Sequence, residues 1–148
     1  MRTDLAWLAH AIEVSRSAPP VPARYAVGAV VVDRLGQALS TGYTGEDDPQ
    51  QHAEEAALAK LAGRPVDLAG ATVYTSLEPC TTRRSRPVGC ARLILAAGIT
   101  RVVLAWREPA LFADCEGVAT LRRHGVEVVE LPALAASARA VNSHLAFV

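Results

Sequence analysis

The sequence predicts an α/β protein, one sheet with helices packed over it, and three observations carry that prediction. The chain has 148 residues, 51% of them apolar, which is enough for one core and too much for global disorder. A β-branched run around residues 26–33 is followed by a turn and a second short extended segment, the pattern of a hairpin. Beyond it, helical and extended segments alternate to the end of the chain, the order that builds a helix-covered sheet. No internal repeat or low-complexity linker interrupts this order, so 1–148 reads as a single domain.

Each element has its own justification. Thr3 or Asp4 caps a first helix whose Leu5, Leu8, Ala9 and Ile12 recur at helical spacing, and Pro19-Pro20 ends any continuation. Residues 26–33 form a buried strand closed by a turn from Asp33 to Gly36, and 37–43 supply its hairpin partner. The polar stretch 44–51, with Gly45 and Pro49, is a loop. Residues 52–62 are rich in Ala, Leu and Glu and read as a helix stopped by Gly63. A third strand spans 71–77, an irregular arm 79–89, and an apolar helix 90–97 ending before Gly98. The fourth strand is 101–106, followed by a helix at 118–124 closed by Gly125 and a fifth strand at 126–131. The alanine-rich tail, 133–145, is helical and packs on the body or on a second copy.

Composition narrows the function. Fifteen basic residues balance fifteen acidic ones, so the basic excess that marks nucleic-acid or membrane-surface binders is missing. No apolar run approaches the roughly 20 residues of a membrane helix. The first twenty residues include Asp4, His10 and Glu13 and lack a signal-peptide layout, so a cytoplasmic protein is expected. Three cysteines do not suit a disulfide framework and read as ligands, a catalytic thiol or packing residues. Lys60 is the sole lysine; every other basic residue is arginine.

Three short strings carry chemistry: His52-Ala53-Glu54, Glu78-Pro79-Cys80, and Cys90, with nine residues between the two cysteines. Each is weak alone, since His-x-Glu arises by chance in roughly one such chain in four from composition. Read blandly, His52 is a polar boundary residue and Cys80 and Cys90 fill the core. Placement argues for more. His52 opens one helix after a loop, and the cysteines bracket the entry to another. One imidazole and two thiolates make a three-ligand zinc site with an open fourth position, the arrangement of catalytic zinc. Glu54 lies about 200° around a helix from His52, so it does not share the ion but can lean over the open position and move a proton.

These residues resemble the H-x-E…P-C-x-x-C pattern of zinc-dependent nucleobase deaminases. The wide spacing to Cys90 departs from it and is similar to the riboflavin-pathway pyrimidine deaminases, where a Ser/Thr-, Arg- and Pro-containing insert separates the cysteines. The strings Val27-Gly28-Ala29-Val30-Val31-Val32, Ser76-Leu77-Glu78-Pro79-Cys80 and Leu95-Ala96-Ala97-Gly98-Ile99 extend the likeness from about Tyr25 to Leu131. The resemblance implies a cytidine deaminase-like three-layer α/β/α sandwich with a mixed five-stranded sheet. It implies Zn2+ held by His52, Cys80 and Cys90, with Glu54 passing a proton from water to the ring and to departing ammonia. It further implies that the N–H groups of Ala53 and Cys80 orient substrate and water, that a carbonyl near Ser76 receives the leaving amine, and that the protein forms a homodimer or higher homo-oligomer. The expected partner is a small aminopyrimidine-like base, nucleoside or nucleotide, not a nucleic acid.

Substrate identity is less sharply drawn. Arg83, Arg84 and Arg86 offer guanidiniums that suit a substrate phosphate, or equally a solvated surface. The riboflavin-pathway enzymes carry Asn-Pro before the first Val-Gly and Asp-Pro-Asn after the fourth strand; here the segments are Pro22-Ala23-Arg24-Tyr25-Ala26-Val27 and Glu108-Pro109-Ala110. Losing two base-holding groups changes selectivity, so a cytidine, deoxycytidylate or free-nucleobase deaminase is the alternative, and a non-catalytic zinc-stapled module a second. Trp106 and Phe112 are core residues or walls of a base pocket. Cys115 reads as a free thiol, Phe147 as core, and His10, His124 and His144 as helix-face or capping residues.

Overall fold

The computed structural model describes residues 2–81, 88–107 and 116–145. Its elements follow in the order α1 (Asp4–Ser15), β1 (Gly28–Val32), β2 (Ala38–Tyr43), α2 (Ala53–Ala59), β3 (Thr72–Leu77), α3 (Cys90–Ala96), β4 (Arg101–Trp106), α4 (Gly117–Arg123), β5 (Glu127–Glu130), a 3₁₀ turn (Pro132–Leu134) and α5 (Ala135–Val141). The five strands form one sheet in the order β2-β1-β3-β4-β5. β1 pairs antiparallel with both β2 and β3, whereas β3–β4 and β4–β5 are parallel, so the sheet is mixed as expected.

Strand alternation divides the apolar side chains between two cores. Ala29, Val31, Val73, Val102 and Leu104 pack with α2, α3 and α4 residues such as Ala53, Ile94 and Leu121. Val30, Val32, Tyr74, Val103 and Ala105 pack on the other face with Trp7, Leu8, Ala11 and Ile12 of α1 and Ala138 of α5. A sheet with an apolar set on each face must be covered on both, which gives the three-layer sandwich. Among the described residues no helix is long and apolar enough to cross a membrane.

Four boundaries differ from the sequence reading. β1 starts at Gly28 because side chains occupy the preceding amides: Ala26 N–H donates to Asn142 Oδ1 (2.7 Å) and Val27 N–H to Thr44 Oγ1 (2.9 Å). His52 is not the first helical residue but the N-cap of α2, in extended conformation with φ −86°. The far end of α2 tightens into i→i−3 bonds, Leu61 N–H to Leu58 C=O (3.0 Å) and Ala62 N–H to Ala59 C=O (3.3 Å), before Gly63 turns left-handed. The tail keeps only seven α-helical residues, preceded by the turn that begins at Pro132.

A polar cluster ties α1 across the starts of the strands. Asp4 accepts Tyr74 OH at 2.6 Å and two guanidinium N–H groups of Arg101 at 3.0 and 2.6 Å, while Arg101 Nε donates to Glu127.

Candidate active site

The other end of the strands brings the three strings together. Cys80 follows β3, Cys90 opens α3, and His52 caps α2. The chain on either side of the irregular arm closes up through Ala91 N–H to Cys80 C=O (3.0 Å), and Cys90 N–H donates to Cys80 Sγ (3.3 Å). Gly89 permits this crossing, since a Cβ there would collide with the Thr81 carbonyl. Gly42 does the same for α2: a Cβ would overlap the Ala53 carbonyl and Ala57 nitrogen, so the helix carrying His52 and Glu54 rests directly on β2. His52 N–H is satisfied by Glu55 Oε1 at 3.1 Å, which fixes the cap that presents the imidazole.

His52 Nδ1 lies 3.5 Å from Cys80 Sγ and 3.3 Å from Cys90 Sγ, and the three donor atoms fall within 4.8 Å of one another. Tetrahedral zinc, with Zn–S about 2.3 Å and Zn–N about 2.0 Å, spaces N and S by about 3.5 Å. The donor set therefore fits zinc in both chemistry and spacing. Both thiols are free and buried. The Cys90 thiol and the nearby His52 lower the Cys80 thiol's pKa, favouring its thiolate. Cys90 is pushed the opposite way, by that same partner and by burial. Two buried thiols this close ionise one at a time until a cation joins them.

Glu54 points into the same buried region, only 4% exposed, and accepts a hydrogen bond from Thr75 Oγ1 at 2.9 Å. Burial raises its carboxyl above the ordinary range, partly opposed by His52. Ala53 is fully buried at the first helical position. The Ser76 hydroxyl accepts Gly28 N–H at 3.1 Å, locking β3 to the start of β1. Trp106 ends β4 opposite Leu77, half-buried, with its ring edge-on to Tyr25 at 5.6 Å. Its place is thus at the core margin, on the same strand ends as the donors.

Arg83, Arg84 and Arg86 lie outside the described residues, as do Phe112, Cys115, Phe147 and the stretch 108–110. Arg24 and Tyr25, in contrast, are clear. The Arg24 guanidinium donates to the carbonyls of Pro49 (2.7 Å) and Pro19 (3.2 Å), clasping the loop that leads to His52. His124 caps the end of α4, its Nδ1 2.8 Å from Thr120 C=O, whereas His144 Nε2 lies 2.9 Å from the loop carbonyl of Arg24 and caps no helix. His10 stands on a helix face edge-on to Trp7.

Sequence reasoning missed Thr75, whose hydroxyl in a strand looks like ordinary β-propensity. It gave Glu78 no separate role either, although Glu78 Oε2 accepts Val118 N–H (2.9 Å) and so caps α4 against the Cys80 arm.

Comparisons with known proteins agree with this geometry. The chain is 38% identical over 126 residues to a diaminohydroxyphosphoribosylamino-pyrimidine deaminase of Schizosaccharomyces pombe, covering 84% of this chain and 31% of that protein. A probable cytosine deaminase of the same organism is 29% identical, with 85% of this chain and 82% of that protein covered. Among solved structures, a Thermotoga maritima diaminohydroxyphosphoribosylaminopyrimidine deaminase/5-amino-6-(5-phosphoribosylamino)uracil reductase superposes with TM-score 0.82 at 32% identity, over 93% of this chain and 38% of that one. The chain thus spans about a third of the length of the riboflavin-pathway relatives it matches. Residues 1–106 match the cytidine and deoxycytidylate deaminase zinc-binding region, and the chain belongs to that family.

Proposed function

We propose that residues 1–148 act as one zinc-dependent deaminase unit that hydrolyses the amino group of a pyrimidine-like base, nucleoside or nucleotide, as a diaminohydroxyphosphoribosylaminopyrimidine deaminase does. The observation that carries this reading is the buried Glu54 carboxylate in the same pocket of structure as the three donors. Zinc held by His52, Cys80 and Cys90 supplies the Lewis acidity that makes water a nucleophile near neutral pH. Glu54 accepts the proton of the attacking water on a carboxylate oxygen and donates it to the ring nitrogen. It then assists the transfer that lets the amino group leave as ammonia, so one water is consumed and one ammonia released. In this reading the Ala53 and Cys80 amides and a carbonyl near Ser76 orient substrate, with Trp106 at the margin, and Arg83, Arg84 and Arg86 are the candidates for a phosphate.

A second reading, a cytidine-type or free-base deaminase, is favoured by one observation. The segment Pro22 to Val27 lacks the Asn-Pro of the riboflavin-pathway pattern, and its Arg24 guanidinium is engaged with the carbonyls of Pro19 and Pro49. A cytoplasmic setting keeps both thiols available as ligands, and the reading includes assembly as a homodimer or larger.

The deciding experiment measures ammonia release from zinc-loaded protein offered the diaminopyrimidine ribotide, its dephosphorylated form, cytosine nucleotides, and free cytosine and guanine. Turnover of the ribotide alone supports the leading reading, and turnover of a cytosine compound or free base the second. One zinc per chain with no ammonia from any of them leaves a structural zinc module.

A further inference from the structure

We infer that Thr75 is a positioning residue for Glu54: its hydroxyl anchors one carboxylate oxygen and so aims the side chain at the reacting atoms. The inference rests on the deaminase reading above. Thr75 is fully buried on β3, a strand with neighbours on both sides, Ala29 of β1 and Leu104 of β4 standing opposite it. Its backbone is therefore among the most firmly fixed in the molecule. Glu54 belongs instead to the first turn of a seven-residue helix, on a three-bond side chain with many rotamers. Joining the flexible acid to the rigid strand removes that freedom.

The hydrogen bonds are specific. Thr75 Oγ1 is 2.9 Å from Glu54 Oε1 and 3.1 Å from Leu77 C=O. A hydroxyl has one proton to give and lone pairs to accept with, so the contact to Glu54 persists whether the carboxyl is the acceptor or the donor. The Leu77 carbonyl takes the hydroxyl proton in the second case. The flanking residues on the same strand face, Val73 and Leu77, belong to the apolar core, as do Ala53 and Ala57 on the facing helix. Packing alone would be met there by valine, which has the same branched shape. The hydroxyl is what distinguishes threonine at this position.

The test compares Thr75→Val, Thr75→Ser and Glu54→Gln in zinc-loaded protein. It uses whichever substrate of the panel releases ammonia, together with zinc content, thermal midpoint and crystal structures. The expected result for Thr75→Val is a fall in kcat of about ten- to a hundredfold, with KM within about threefold, one zinc retained, and Glu54 displaced or spread over rotamers. Thr75→Ser, which keeps the hydroxyl, should restore kcat to within about threefold and return Glu54 to its place. Wild-type kcat and an unmoved Glu54 in Thr75→Val overturn the inference, as does a Thr75→Ser as slow as the valine variant. If Thr75→Val does not fold, Thr75→Ala carries the same comparison. Activity surviving in Glu54→Gln overturns the deaminase reading of Glu54 instead. If no substrate reacts, the position of Glu54 in the crystal structures still decides the anchoring.

Discussion

Tyr74 and Thr75 are consecutive residues of β3, and each gives its hydroxyl proton to a carboxylate, but on opposite faces of the sheet and to opposite purpose. Tyr74 donates to Asp4, which also receives a two-pronged grip from Arg101 and lies about one-third exposed. The guanidinium holds the Asp4 carboxyl below its ordinary range, while burial and then its own hydrogen bond to Asp4 push Tyr74 up to about 12. Thr75 donates to Glu54, which is buried and whose carboxyl is pushed upward by desolvation. One carboxylate is kept charged and fastens helix to sheet. The other is buried, and desolvation raises its pKa. Placement alone separates them, since both are single carboxyls next to a strand hydroxyl.

Experiments that exchange the consequences would break this contrast. The largest effect is expected from Glu54→Gln, which preserves shape and zinc but lowers turnover by about a thousandfold or more, while the thermal midpoint holds or rises because a buried ionisable group is gone. Ammonia assays and melting curves on the same preparation check both halves. Cys80→Ala should cost the metal itself; metal analysis that still finds one zinc per chain in that variant contradicts the ligand assignment. Next comes Asp4→Asn, expected to destabilise by about 1–2 kcal/mol, discounted for exposure, with turnover within about twofold of wild type. The Asp4 pKa is depressed in the fold, so its contribution is present above the unfolded value near 4 and is lost as pH falls through the folded one. Acid unfolding followed at several pH values should show the wild type and Asp4→Asn converging as the pH falls below the depressed Asp4 range. The smallest effect is Tyr74→Phe, which leaves the Arg101–Asp4 pair intact and should lower stability by about 1 kcal/mol. A Tyr74→Phe or Asp4→Asn enzyme slowed as much as Glu54→Gln would show that the two ends are not separable.

Much of this architecture was legible because it is local. Val27 to Val32 and Arg101 to Trp106 announce strands by β-branching, and Gly63, Gly98 and Gly125 stop helices where their positive φ values now lie. The metal donors were legible because residue type and placement at segment ends limit their chemistry. What escaped were contacts between residues far apart in the chain. Nothing near Asn142 says that its amide will occupy Ala26 from 116 positions away, and nothing near Asp4 names Arg101. Thr75 escaped for another reason: threonine is common in strands, and only the approach of α2 turns its hydroxyl into a partner for Glu54.

The alternation at Tyr74 and Thr75 also bears on how the chain finds its native pairing. If β3 slid by one residue against β1 and β4, the phenol would face Glu54 and the short hydroxyl would face Asp4. Neither donor would then reach its acceptor, and Val73 and Leu77 would leave the core they belong to. A misaligned strand would strand two carboxylates and expose apolar side chains together. The polar pair therefore favours the native register, in addition to the apolar pattern that every strand relies on.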